Sequence, residues 1–145
     1  MQSILVVMVV ALAGGVAVGL QGPLTSLMSQ RLGTLESIFI VHLGGTLLAG
    51  LLLLAVGGGN LGAWRTVPWY ALAAGSLGLV ILSAVSYTIP RIGVATSVTL
   101  IVAAQLITAS FLDQFGFLET AVRPLDQSRL IGMLVLFVGT WLIVR

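Results

Sequence analysis

The chain alternates between five long apolar stretches and short polar segments. Each stretch is close to or above the roughly 20 residues that a helix needs to cross a bilayer. Charged residues and turn residues fall between these stretches or at their ends. We therefore predict an all-α integral membrane protein, a single five-helix domain over residues 1–145 that is multi-pass in the cell (inner or plasma) membrane. The predicted spans are residues 3–29, 37–56, 68–88, 93–112 and 127–144.

The first span is longer than a bilayer requires and contains a proline. Pro23 has no backbone N–H, so the carbonyl of Gly19 loses its usual helical donor. Gly19 and Gly22 weaken the same turn of the helix. This pattern predicts a kink, and we expect Gly19, Gly22 and Pro23 to act as a hinge. No basic segment precedes the span, so we expect it to be retained rather than removed as a signal peptide.

Prolines also mark both ends of the third span. Pro68 suits the first helical position. We expect the helix to stop before Pro90, because a proline disfavours helical backbone at the residue before it. Residues 90–93 would then form a tight turn. At the start of the fifth span, Asp126 or Ser128 is the expected N-cap.

The composition removes several classes of function. Only 7% of the residues are charged, the net charge is +2 and the mean hydropathy is +1.19, whereas a soluble domain carries about 25% charged residues. No basic cluster could neutralise a row of phosphates, so we expect no nucleic-acid partner. The chain has no cysteine, no lysine and a single histidine, His42. We therefore expect no metal site, no cofactor and no disulfide.

The charge distribution bears on the orientation in the membrane. An odd number of crossings puts the two termini on opposite sides. Under this topology the arginines divide evenly between the two sides, so the positive-inside bias is balanced and the chain is expected to insert both ways. Two opposed copies would form an inverted assembly. One side carries Arg65, Arg123 and Arg129, and the other carries Arg31, Arg91 and Arg145.

Polar side chains form stripes on four of the spans. Gln21 and Thr25 lie at i and i+4 on either side of Pro23 in the first span, and Gln105 is an amide near the middle of the fourth. His42 is the only ionisable residue well inside any span, which marks it as a candidate functional residue. On the second span it shares a side with Gly45, Thr46 and Ala49. The third span has a polar face with Trp69, Ser76, Ser83 and Tyr87, and a small face with Ala71, Ala74, Gly75 and Gly78.

These polar residues fit two interpretations. They either form hydrogen bonds between helices or line a cavity near the midplane of the membrane. Under the second interpretation the cavity would bind a small solute. The candidate substrate-binding residues are Gln21, Thr25, His42, Ser76, Ser83, Tyr87 and Gln105.

Several short segments occur in an order that covers nearly the whole chain. They are Leu20-Gln21-Gly22-Pro23, Arg31-Leu32-Gly33, His42-Leu43-Gly44-Gly45-Thr46, Pro90-Arg91-Ile92-Gly93-Val94-Ala95-Thr96, and Gln105 followed by Asp113-Gln114-Phe115-Gly116. Together they resemble the YdcZ-like, half-length branch of the drug/metabolite transporter superfamily. The resemblance implies a five-helix unit equivalent to half of a ten-helix transporter, completed by an inverted second copy or a paired homologue.

The same resemblance raises the question of proton coupling. The related small multidrug resistance transporters couple export to protons through a glutamate in their first helix. The first span here contains no acid. Proton coupling is therefore either absent or carried by His42 or by an acid at an interface.

We expect a transporter of a small solute that works by alternating access as an inverted homodimer in the lipid bilayer. The low charge inside the spans favours a neutral, zwitterionic or weakly cationic solute. An enzyme is not expected, because a nucleophile at Ser76 would need the sole histidine, which lies on another span. The alternatives are a small dual-topology ion channel and a non-transporting membrane assembly subunit.

Overall fold

The computed structural model describes residues 3–145, and all regular elements in that range are helical. Five segments, one of them formed by α3 and α4 together, are long and apolar enough to span a membrane. The prediction of an all-helical protein with five candidate crossings is thereby confirmed. The helices are α1 (Ile4–Leu32), α2 (Thr34–Ala55), α3 (Trp69–Leu72), α4 (Ala74–Ile92), α5 (Val94–Phe115) and α6 (Gln127–Val144), and 3₁₀ helices cover Leu61–Thr66 and Phe117–Glu119.

The chain divides into two compact units, one up to Arg91 and the other from Ile92 to Arg145. In the first unit α1 packs along α2. It also meets α4 at Gly22, where an added Cβ would lie 3.5 Å from Val85 Cγ1 and 3.6 Å from Ile89 Cδ1. In the second unit α5 packs along α6.

Small polar residues dominate the buried positions. Most large apolar side chains are exposed, as expected for helices whose outer solvent is hydrocarbon. Small residues inside such a protein let the helices approach closely, and most of the buried hydroxyls donate to backbone carbonyls. The buried polar residues are Thr25, Ser26, Ser37, Ser86, Ser97 and Thr140, and the buried apolar ones are Ile38, Leu82, Val85 and Ala103.

A single glycine separates α1 from α2. The helix α1 continues through Pro23 and past residue 29, where we expected the span to end, to Leu32. Gly33 then adopts φ +111° and ψ 158°, and its N–H donates to the Ser29 carbonyl at 3.0 Å. This backbone region is essentially restricted to glycine. The residue after it already begins α2, so Gly33 makes the whole connection.

The start of the third span differs from the prediction. Pro68 is not its first helical residue but precedes α3 in an extended conformation, with ψ 139°. The segment is interrupted at Ala73, where ψ is −4°. The Ala73 carbonyl accepts two bonds from Ser76, one from its N–H at 2.9 Å and one from its hydroxyl at 2.7 Å. These bonds close the first turn of α4.

The expected stop before Pro90 is wrong. The helix α4 runs through Pro90 to Ile92, so residues 90–92 are helical rather than part of a tight turn. A proline removes one donor and crowds the carbonyl four residues earlier, but the residues after it can still continue the helix. The break comes at Gly93, where φ is +83°.

In the second unit, α5 and α6 have distinct end structures. The helix α5 ends at Gly116 in the left-handed region, with φ +66°, and the Gly116 N–H donates to the Leu112 carbonyl at 2.8 Å. Of the two predicted N-caps, Asp126 and Ser128, it is Asp126 that caps α6. Its carboxylate accepts the backbone N–H of Arg129 at 2.7 Å and the hydroxyl of Ser128 at 2.9 Å. These bonds, the one from Arg129 foremost, lower the pKa of Asp126.

Candidate functional site

A cavity of about 490 Å³ opens between α1, α2 and α4 in the first unit. Three polar side chains, Gln21, His42 and Thr46, converge on a lining that is otherwise glycine or apolar. An apolar pocket with a few convergent polar groups is typical of small-molecule sites. The lining consists of Gln21 from α1, of Val41, His42, Gly45, Thr46 and Ala49 from α2, and of Gly78, Ile81 and Leu82 from α4.

The imidazole of His42 is held in one orientation by its own helix. Nδ1 lies 2.8 Å from the carbonyl oxygen of Ile38, one turn earlier. A carbonyl can only accept, so Nδ1 must carry the hydrogen of this bond. In the neutral ring Nε2 is then left as an acceptor. The half-buried ring therefore offers the cavity a hydrogen-bond acceptor.

Gly78 makes room for the ring on the facing helix. A Cβ at this position would lie 2.5 Å from Nε2 of His42, closer than real Cβ atoms come to other groups, and 3.2 Å from Cε1. Any side chain at residue 78 would thus displace the ring. The glycine on α4 and the histidine on α2 form one complementary pair within the wall of the cavity.

The tautomer of His42 can be measured directly, since this chain contains no other histidine. In ¹⁵N-histidine-labelled protein in lipid nanodiscs, we expect the neutral ring to carry its hydrogen on Nδ1. The reason is the Ile38 carbonyl, which binds that hydrogen at 2.8 Å. Gly78→Ala should change the ring shifts because it displaces the imidazole. A neutral ring protonated on Nε2 would contradict the assignment.

The predicted substrate-binding residues fall at different places. Gln21 and His42 line the cavity, and the α2 stripe that contains His42 faces it. Thr25 is fully buried one turn beyond Gln21, and its hydroxyl donates to the Gln21 carbonyl at 2.9 Å. Gln105 is exposed in the second unit, halfway along α5.

The polar face predicted on the third span does not line this cavity. Ser76 is exposed at the start of α4, and Ser83 is half-buried. Tyr87 is exposed, with the Arg91 guanidinium 3.6 Å from its ring centroid. The α4 residues that reach the cavity include Gly78, from the predicted small face. The binding roles of the three polar residues stay predictions.

The predicted hinge on α1 flanks Gln21, the residue of that helix that lines the cavity. Gly22 is buried against α4, while the Cβ position of Gly19 is open. The α-helix is continuous across Pro23. A hinge function for Gly19, Gly22 and Pro23 stays a prediction.

Thr46 and Gly78 are cavity residues that the candidate set omitted. Thr46 was already visible as a polar residue on the His42 stripe. Gly78 carries no polar signal of its own, and its importance comes only from the ring that it faces. Spacing along one helix can reveal the first kind of residue but not the second.

A short sequence pattern occurs twice, 60 residues apart. Ser26, Arg31, Gly33 and Ser37 correspond to Ser86, Arg91, Gly93 and Ser97. Both glycines have positive φ and separate consecutive helices. Both Ser37 and Ser97 are buried, with their N–H groups 3.2 Å from the carbonyls of Gly33 and Gly93. Local structure is thus repeated along with the sequence.

The second unit contains a more apolar groove of about 550 Å³ along α5 and α6. The rings of Phe111 and Phe115 pack 4.7 Å apart beside it. Its polar groups are bonded within the unit: the Gln114 side chain accepts the N–H of Leu125 at 2.7 Å, and Ser110 donates to Met133 Sδ at 3.3 Å. This groove offers a solute fewer polar contacts than the cavity that contains His42.

These features define a class of protein, a multi-pass membrane protein with a cavity suited to a small molecule. Comparison with known families gives a narrower result. The model of the family described as "Putative inner membrane exporter, YdcZ" matches residues 6–142, and the chain belongs to that family. The protein is accordingly an inner-membrane protein of an exporter family, in agreement with the predicted location. No curated protein and no solved structure matches the chain.

Proposed function

We propose that the chain exports a small solute by alternating access, as one half of an inverted homodimer in which the five spans act as a single transport domain. The observation that carries this proposal is the cavity in the first unit. There the only histidine of the chain meets an amide and a hydroxyl within an otherwise apolar wall. A volume of about 490 Å³ suits a small metabolite.

The lining indicates the chemistry of the solute. No lining residue carries an acid, a lysine or an arginine. His42 offers an acceptor, while Gln21 and Thr46 can each donate and accept. This set favours a neutral, zwitterionic or weakly cationic solute with an N–H or O–H group to place on Nε2 of His42. A strong anion would meet no permanent counter-charge in this wall.

Gln105 supports the need for a second chain. Its amide is exposed in the middle of α5, where the surrounding solvent is hydrocarbon. An amide left without partners there is costly. In the proposed dimer the partner copy and the solute cover it, and the shared cavity is completed by the remaining predicted residues. These are Thr25, Ser76, Ser83, Tyr87 and Gln105.

The topology supports the proposed inverted arrangement. Five crossings leave the termini on opposite sides, and balanced arginines permit both orientations. An inverted pair would place two cavities about one axis near the midplane. The segment from Gly19 to Pro23 would flex as access alternates, because Pro23 removes one helical hydrogen bond next to Gln21.

The proposal is tested by substitutions in the cavity and at Gln105. A thermal-shift screen of metabolites and lipophilic cations would first identify a bound solute. Uptake of that solute, radiolabelled, into proteoliposomes should then fall about three- to tenfold in His42→Ala and in Gln105→Ala, the effect of losing one buried hydrogen bond. Leu47→Ala is the matched control, an exposed residue on α2 outside the cavity.

Each outcome has a distinct meaning. Unchanged uptake in both variants would refute the site, whereas insertion of tagged termini in one orientation only would refute the inverted dimer and leave export intact. Saturable uptake with exchange of labelled for unlabelled solute supports a transporter. Flux that conducts without saturation would indicate a channel instead, and complex formation without any flux would indicate an assembly subunit.

A further inference from the structure

Ser86 is a buried polar residue whose hydroxyl has no hydrogen-bond partner within residues 3–145. Only 6% of the residue is exposed. Four other buried hydroxyls in this range donate to carbonyls of their own helices, those of Thr25, Ser37, Ser97 and Thr140. Leaving a buried hydroxyl without a partner costs free energy. A polar ligand at Ser86 would therefore bind a hydroxyl that is otherwise without a partner.

The backbone at Ser86 has the same deficit. In an α-helix the carbonyl of residue i accepts the N–H of residue i+4. For Ser86 that residue is Pro90, which has no N–H, although the helix continues past it. The carbonyl oxygen of Ser86 thus lacks its regular helical donor, and Oγ of the same buried residue has no partner within residues 3–145.

In the first copy of the repeated segment, the corresponding serine has the donors that Ser86 lacks. Ser26 corresponds to Ser86, and Gln30 corresponds to Pro90. Gln30 has a backbone N–H, and its side-chain amide lies 3.4 Å from the Ser26 hydroxyl as a donor. Proline in place of glutamine removes both donors at once. The two segments therefore differ in the donors available to the hydroxyl and carbonyl oxygens of this serine.

Two buried hydroxyls lie on the side of α1 that meets α4. Val85 and Ile89 bring this side of α4 against Gly22 of α1. Thr25 and Ser26 follow Gly22 at i+3 and i+4, so their buried hydroxyls lie on the same face of α1. Ser86 itself lies one turn beyond Leu82, which lines the solute cavity.

We propose that Ser86 binds a sodium ion through its hydroxyl and carbonyl oxygens, at a site separate from the solute cavity. A carbonyl oxygen can only accept, so the two oxygens together suit a cation. Carbonyls freed from helical hydrogen bonds bind sodium in other membrane proteins. The absence of a carboxylate near Ser86 on α1 and α4 favours a monovalent ion, since a buried divalent ion without counter-charge is costly.

Arg91 is the charged residue nearest along α4, and its charge is directed elsewhere. Its guanidinium donates to the Tyr87 carbonyl at 2.6 Å and lies over the Tyr87 ring. At about 100° per residue, Arg91 is roughly 140° around the helix from Ser86. The cation site and the arginine thus occupy different faces of α4.

The test is the thermal unfolding of the purified full chain in nanodiscs. Sodium chloride is titrated to about 100 mM against potassium chloride or N-methylglucamine chloride at constant ionic strength. We expect a saturable rise of about 2–5 °C in the unfolding midpoint with sodium only. Equal midpoints in the three salts would overturn the proposal and mean that the hydroxyl is satisfied in some other way, such as by water. This comparison uses only the unchanged protein and requires no transport assay.

Variants then assign the ion to Ser86. Ser86→Ala should abolish the sodium-dependent rise. Pro90→Ala should reduce it, because the restored N–H would occupy the Ser86 carbonyl. Ser97→Ala is the control, a buried serine whose hydroxyl already donates to the Gly93 carbonyl at 2.7 Å. A sodium-dependent rise that persists in Ser86→Ala would refute the assignment.

Discussion

Gly78→Leu is expected to abolish solute uptake while the protein still folds and forms the proposed dimer. The first atom of the new side chain would lie 2.5 Å from Nε2 of His42, so the imidazole must leave its place. The remaining atoms would occupy the cavity that Gln21, His42 and Thr46 share. Uptake of the solute found by thermal shift is the measurement, with size-exclusion chromatography to report the dimer. The loss of uptake should exceed that in His42→Ala, because Gly78→Leu both displaces the His42 ring and fills the cavity.

Gly75→Leu is the matched control for this prediction. It lies on the same helix, and no atom comes within 4 Å of its added Cβ. Uptake should be close to that of the unchanged protein. If both leucine variants lose uptake equally, the effect is a general one on α4, and the pairing of Gly78 with His42 does not explain it. If neither loses uptake, the cavity is not the path of the solute.

The number of crossings could be predicted from the sequence because hydrocarbon imposes a strict length on each apolar run. The ends of the third span could not. A proline inside a helix removes one donor, and whether the spiral continues depends on the residues beyond it. Beyond Pro90 the helix continues to Ile92, and at Ala73 a serine three residues later closes an unexpected turn.

The candidate cavity, too, could be predicted only in part from the sequence. Helical spacing identifies residues that share a face, and the stripe containing His42 and Thr46 does face the cavity. Spacing does not say which face meets a neighbour. On α4 the side toward the cavity includes Gly78 rather than the polar residues Ser76 and Tyr87.

Ser86 illustrates a different limit. Its importance depends on what its hydroxyl and carbonyl lack, and a missing partner cannot be seen in the residue itself. The sequence nevertheless contains a signal, because Ser26 and Gln30 of the first copy of the repeat correspond to Ser86 and Pro90 of the second. Comparing the two copies would have drawn attention to the substitution of glutamine by proline, which removes donors from a buried position.

Gly33→Ala and Gly93→Ala are both expected to destabilise the protein. Each glycine joins two helices without any other linking residue, at φ +111° and +83° with ψ 158° and 166°. This region is nearly closed to residues with a Cβ, and each alanine should cost about 1–3 kcal/mol. Thermal unfolding in nanodiscs would show the loss as a lower midpoint.

The two junctions separate backbone strain from steric contact. At Gly33 the carboxylate of Glu36 also occupies the space that a Cβ would need, whereas the Cβ position at Gly93 is open. The loss at Gly93 therefore measures the backbone cost, and any excess at Gly33 measures displacement of Glu36. Gly50→Ala, inside α2 with nothing within 4 Å, is the control and should stabilise the protein slightly. If all three alanines behave alike, the positive φ angles are not what these junctions require.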